Sequence, residues 1–114
     1  MAKSSYGRNC PAFVLLFLSK ESTYGSRLLN LMEEALPYNH MDGPVIYRTL
    51  SELENAGAVS SYWDTSSTGP AKKCYTVTPK GRELLKEYKV EVEQRKSNYD
   101  YFLTEYDNLK FEEH

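Results

Sequence analysis

Asp42-Gly-Pro-Val-Ile-Tyr-Arg-Thr-Leu-Ser-Glu-Leu-Glu-Asn-Ala-Gly57, then Ala58-Val-Ser-Ser-Tyr-Trp-Asp64, a polar loop and Lys72-Lys-Cys-Tyr-Thr-Val-Thr78, is the stretch on which the reading of this chain turns. It reads as one helix running into a β-hairpin. Asp42 stands where an N-cap accepts a first-turn N–H, Pro44 suits the first turn, and Gly57 suits the left-handed position just past the helix end. Ile46, Leu50 and Leu53 follow the i, i+4, i+7 spacing of a buried face. A turn of about 100° per residue then puts Pro44, Arg48 and Ser51 on the opposite side, with Tyr47 on the flank. That outer face carries one guanidinium, whose planar fork can bond a guanine edge or a phosphate bidentately. Residues 58–64 and 73–78 are rich in Val, Tyr, Trp and Thr, and residues 65–71 are turn formers and small residues, the pattern of a hairpin with a loose tip.

A helix leading straight into a hairpin is the arrangement of a winged helix-turn-helix, in which the helix enters a major groove and the hairpin straddles the neighbouring backbone. From about Phe13 to Leu85 the chain resembles the PadR family of transcriptional regulators. The residues that carry the resemblance are Tyr24-Gly25, opening the second helix, Tyr47-Arg48-x-Leu50-x-x-Leu53-Glu54-x-x-Gly57 in the third, and Gly69-Pro70-x-Lys72-Lys73-x-Tyr75-x-Val77-Thr78-x-x-Gly81 in the wing. The Trp63-Asp64-Thr65-Ser66 run ahead of Gly69-Pro70-Ala71-Lys72 is further similar to the branch described as polyhydroxyalkanoate-responsive repressors. The resemblance implies a mainly α fold with a small β-hairpin, a winged helix-turn-helix domain followed by a long C-terminal dimerisation helix. It implies a ligand-responsive repressor that binds an inverted-repeat operator as a homodimer.

Tyr24, Pro44, Tyr47, Arg48, Ser51, Lys72 and Lys73 are the candidate contacts to double-stranded DNA. Two departures limit what carries over. The family's second helix usually begins Tyr-Gly-Tyr-Glu, whereas Ser26 and Arg27 follow Tyr24-Gly25 here; its recognition helix usually opens with Gly-Thr, where this chain has Pro44-Val45 and so lacks a hydroxyl. Base specificity therefore does not follow by analogy.

The chain has 114 residues, 40% apolar and 26% charged, one domain's worth of ordinary globular sequence. We read residues 1–9 as a polar, flexible arm, 10–78 as the winged domain and 79–114 as the C-terminal helix. The longest apolar run, Ala12 to Leu18, falls far short of the roughly 18 residues needed to cross a bilayer, and nothing before it reads as a secretion signal. The expectation is a cytoplasmic protein without membrane contact. Cys10 and Cys74 stand apart, which favours two reduced thiols over a disulfide or metal pair; a redox sensor at Cys74, beside Lys72-Lys73, is the alternative. His40, read as a loop residue, and His114 are the only histidines. They form no catalytic or metal-binding constellation with other residues, so no cofactor, metal or enzymatic activity is expected.

Asn9 reads as the cap of a first helix through Pro11, and Ala12-Phe-Val-Leu-Leu-Phe-Leu18 is apolar on every side. A small body has difficulty covering Phe13, Val14, Leu16 and Phe17 together, so a partner subunit is expected over part of them. Ser22 or Thr23 reads as the cap of a second helix whose stripe is Tyr24, Leu28, Leu31, Met32 and Ala35, and Pro37 to Met41 as the turn that follows. From Pro79, with Thr78 as cap, the helical pattern continues to about Lys110. Leu85, Tyr88, Val92, Arg95, Tyr99, Phe102, Tyr106 and Leu109 alternate spacings of three and four, a coiled-coil-like seam broken by Arg95.

A helix of that length measures roughly 45 Å against about 30 Å for the body, so its end must project and find cover. The expected cover is a second copy, with Phe13, Phe17, Tyr88, Val92, Tyr99, Phe102, Tyr106 and Leu109 at the interface; folding back onto its own domain is the alternative. A small-molecule effector could lie between Phe13, Phe17, Tyr99 and Phe102, although aromatics at helical spacing also serve as plain packing.

Net charge is −2, yet Lys72, Lys73, Lys80 and Arg82 fall in an interval, between Asp64 and Glu83, that holds no acid. The wing and the start of the last helix thus make a basic strip, while the acidic excess lies in residues 83–114. A winged-helix module that binds protein instead of DNA would expose apolar residues on the third helix, which Arg48 and Ser51 speak against.

Overall fold

The computed structural model describes residues 2–38, 42–66 and 68–111, residues 2–9 by their backbone alone. The elements run α1 (Ala2–Lys20), β1 (Thr23–Tyr24), α2 (Gly25–Ala35), α3 (Gly43–Asn55), β2 (Val59–Asp64), β3 (Lys72–Val77) and α4 (Pro79–Asn108). His40, Met41 and His114 lie outside the described residues.

Both ends of α3 are closed by the residues expected to close them. The Asp42 carboxylate accepts the Val45 N–H at 3.1 Å, and Pro44 occupies the first turn. Beyond the last turn Gly57 adopts φ 80°, and the Gly57 and Ala58 N–H groups donate to the carbonyls of Glu54 (3.0 Å) and Leu53 (2.9 Å). That pair of bonds is a Schellman motif, which satisfies carbonyls the helix would otherwise leave open. Ile46, Leu50 and Leu53 point inward as the spacing predicts, and Thr49 is buried beside them, its hydroxyl donating to the Cys10 sulfur at 3.3 Å.

Those residues meet Val14, Leu15 and Leu18 of α1, Leu28 and Met32 of α2, and Val59 and Tyr75 of the sheet in one core. The apolar α1 is covered more completely by its own chain than expected: Phe17 is buried, Phe13 packs partly buried against the core, and Leu16 remains 44% exposed. Three further expectations are corrected. Residues 2–9 continue α1 instead of forming an arm, so Asn9 is no cap and Pro11 sits inside the helix. Neither Ser22 nor Thr23 caps α2. Tyr24 occupies that position in extended conformation without a side-chain cap bond, and Ala35, placed on the buried stripe, is exposed. Thr23 and Tyr24 instead form a third strand, pairing antiparallel with Tyr75 and Cys74, so the sheet order is β1-β3-β2.

β2 and β3 make the expected hairpin, Val59 opposite Val77 and Asp64 opposite Lys72. Thr78 caps α4, accepting the Gly81 N–H at 3.0 Å. Leu84, Leu85 and Tyr88 pack against the core, after which the helix leaves the body and the molecule extends to 63 Å. Lys89–Glu93, Arg95–Glu91 and Lys96–Asp100 ion pairs line its projecting sides. Among the described residues no helix is long and apolar enough to cross a membrane.

Candidate nucleic-acid interface

Burying Ile46, Thr49, Leu50 and Leu53 turns Pro44, Arg48 and Ser51 outward, and all three are exposed. Tyr47 is half-exposed on the flank, and its ring lies directly on Gly25: any side chain at 25 would collide with the ring. The Tyr24-Gly25 pair thus lets the start of α2 approach the recognition helix within van der Waals contact. Nothing in a single sequence announces that pairing, because the two segments lie far apart along the chain.

Tyr24, Gly25, Ser26, Tyr47, Lys72, Lys73 and Tyr75 line an open cleft of about 370 Å³ between α2, α3 and β3. It combines the positive end of a helix dipole with two ammonium groups. The lysines are held differently. The Lys72 ammonium rests 4.5 Å from the centre of the Tyr24 ring. Lys73 lies 5.5 Å from the Tyr75 ring centre and reaches Glu54 of α3 at 3.5 Å. The other Glu54 oxygen accepts the Ser61 hydroxyl at 2.5 Å. That hydrogen bond, aided by Lys73, holds the Glu54 carboxyl below its ordinary range. Glu54 and Ser61 therefore brace the wing against α3, a role that sequence patterning missed because it depends on how the hairpin docks. Asp64 is also held low, chiefly by the Ser66 hydroxyl at 2.6 Å and backbone N–H at 2.9 Å.

The remaining candidates divide by location. Phe13 and Phe17 belong with the core and with Tyr88, whereas Val92, Tyr99, Phe102 and Tyr106 are exposed on the outer part of α4 and Leu109 at its C-cap. Eleven positions separate Tyr88 from Tyr99, roughly 16 Å of helix. The four aromatics named for an effector are thus split between the core and the projecting helix. Cys10 and Cys74 are free and buried, and burial raises the Cys10 thiol above its ordinary value, the opposite of a reactive thiolate.

A capped helix with an outward guanidinium, a two-stranded wing beside it and a cationic cleft at its flank define a winged-helix protein. The chain belongs to the PadR-like family of transcriptional regulators, whose model matches residues 14–87. Solved structures agree on the fold. A PadR family transcription regulator from Clostridium difficile superposes with a TM-score of 0.72 at 23% identity, over 83% of this chain and 98% of that one. A PadR-like transcription factor from Bacteroides fragilis gives 0.72 at 24%, over 89% and 96%. A PadR-like transcriptional regulator from Bacillus cereus gives 0.69 at 25%, over 83% and 91%. No curated protein matches the sequence.

Proposed function

We propose that this chain is a ligand-responsive repressor that acts in the cytoplasm, binding an inverted-repeat operator in double-stranded DNA as a homodimer. The observation that carries the reading is the outward face of α3, where Arg48, Ser51 and Pro44 stand free of the core beside a wing bearing Lys72. Dimerisation is supported by the outer part of α4, which leaves Tyr99, Phe102 and Tyr106, with Leu109 at its C-cap, more than half exposed where the helix has left its own domain. A two-fold dimer requires half-sites whose centres lie about 10 bp, or a multiple, apart. The effector would be a small molecule whose site the second copy has to complete, because Phe13 and Phe17 stand apart from Tyr99 and Phe102 within one chain, and the Trp63–Ser66 run supports the polyhydroxyalkanoate-responsive branch.

Gel-shift titration at several salt concentrations tests the reading through two substitutions that should fail differently. Arg48→Ala removes a bidentate base contact and should cost roughly 1–3 kcal/mol on operator DNA, with a smaller loss on random sequence. Lys72→Ala removes a phosphate contact, so operator and random DNA should weaken together and the salt slope should flatten by about one unit per subunit. Wild-type behaviour in both variants would exclude this face as the DNA-binding surface and favour a protein-binding winged helix.

A further inference from the structure

Glu54 is the penultimate residue of α3, and the turn at Gly57 sends the chain directly into β2. Side chains alternate along a strand, so Val59, Ser61 and Trp63 share the β2 face turned to α3, and register sets Val77, Tyr75 and Lys73 beside them on β3. Ser61 and Lys73 therefore reach Glu54 from two neighbouring strands. One carboxylate oxygen accepts the Ser61 hydroxyl, and the other stands 3.5 Å from the Lys73 ammonium. Lys72 differs. It belongs to the opposite sheet face, rests on the Tyr24 ring, and lies within ion-pair distance of no carboxylate among the described residues.

The two partners are not equally held. Glu54 is fixed by its place on the helix and by the Ser61 hydroxyl, whereas an ammonium on a four-carbon stem can swing to a competing anion. The Lys73 and Glu54 side chains are 38% and 33% exposed, so such an anion can reach the pair. An incoming phosphate must then displace a carboxylate that stays behind, uncovered and of the same sign as the phosphate. We infer that Glu54 is an internal competitor for DNA phosphate, holding Lys73 in a neutral pair and so lowering affinity for DNA of any sequence. The inference rests on the DNA-binding reading above, and it assigns to an acidic residue of α3 a restraint on binding instead of a contact. Its effect is greatest on random sequence, where phosphates supply essentially all of the affinity. A neutral pair releases few condensed cations, so Lys73 should contribute little to the salt dependence while Glu54 is charged.

Gel shifts of the full-length chain on a random-sequence duplex a few helical turns long, at several salt concentrations, test this. Glu54→Gln keeps an oxygen for the Ser61 hydroxyl and removes only the charge, and its circular dichroism should match the wild type because the side chain lies outside the core. It should tighten binding roughly five-fold per subunit and steepen the slope of log affinity against log salt by about one unit per subunit. In a Lys73→Ala background the same substitution should tighten and steepen far less, because no ammonium is set free. Lys73→Ala alone should flatten the slope less than Lys72→Ala does. A purely structural brace predicts the opposite direction, since a loosened wing binds DNA more weakly. Unchanged or weaker binding by Glu54→Gln overturns the inference and leaves the DNA-binding reading standing. So does an equal gain in both backgrounds, which would mean that the carboxylate acts through the general field and not through Lys73, or a Lys73→Ala slope as flat as that of Lys72→Ala. Absence of any gel shift at low salt, in wild type and Glu54→Gln alike, overturns the DNA-binding reading and this inference with it.

Discussion

The 13 residues of α3 bury Ile46, Thr49, Leu50 and Leu53, whereas the 30 residues of α4 bury only Gly81. Both helices are well capped and both carry an apolar stripe, so the difference does not lie in local chemistry. It lies in what the stripe meets. The α3 stripe closes on α1, α2 and the sheet within the same chain; the α4 stripe leaves the body after Tyr88 and presents Tyr99, Phe102 and Tyr106 to solvent. The i,i+4 ion pairs along α4 lie at its surface, where water and salt screen them, and cannot replace packing. One helix is covered by its own fold, and the outer part of the other is left without cover from its own chain.

The largest expected effect breaks that contrast at the far end. Phe102, 64% exposed and stacked on Tyr106 with ring centroids 6.4 Å apart, would be covered in the proposed dimer. Phe102→Asp would then bury two unpaired carboxylates, at about 3–5 kcal/mol each, and yield monomers in sedimentation at micromolar concentration. A wild-type protein already monomeric under those conditions would rule out a second copy as the cover for the outer part of α4.

Next comes the body. Leu50 is fully buried, so Leu50→Ala should lower unfolding stability by about 3 kcal/mol in denaturant titration. Tyr99→Ala, measured where the chain is monomeric, should stay within about 0.5 kcal/mol of wild type. Equal losses at the two positions would mean that α4 is already packed in the monomer.

The smallest effect is tied to pH. Glu54 has a folded-state value below its ordinary one, so its stabilising contribution is present above the ordinary value of 4.5 and disappears as pH falls through the lowered folded value. Glu54→Gln should therefore cost up to about 1 kcal/mol at neutral pH, and the difference from wild type should vanish in acid. A difference that persisted there would mean the carboxylate's charge is irrelevant to bracing the wing.

What the sequence made legible was local. The caps of α3 and α4, the hairpin strands and the outward placement of Arg48 depend on residues close in the chain, and each was readable. The strand Thr23–Tyr24 was not, because two residues carry no periodicity and become a strand only when β3 lies alongside. The start of α1 was misread because Pro11 resembles a first-turn proline, the position where its missing N–H and its ring are least costly, whereas here it lies inside the helix. Within the site, Lys73 appeared to be a free cation; its partner Glu54 precedes it by nineteen positions and meets it only through the docked hairpin.

Thr78 links the two helices compared above. Its hydroxyl donates to the Gly57 carbonyl at 2.6 Å, at the end of α3, and accepts the Gly81 N–H in the first turn of α4. Its own N–H donates to the Ala58 carbonyl at 3.0 Å, and Gly81 lies so close to that carbonyl that no side chain fits. The exit of the recognition helix and the root of the long helix are thereby pinned at one pivot. The lever beyond it is roughly 45 Å long, so a tilt of about 5° at the pivot corresponds to about 4 Å at the tip. Read in reverse, whatever clamps the tip fixes the bearing of α3 with a mechanical advantage of the same ratio, and a displacement of a few ångströms at the tip re-aims Arg48 by only a few degrees.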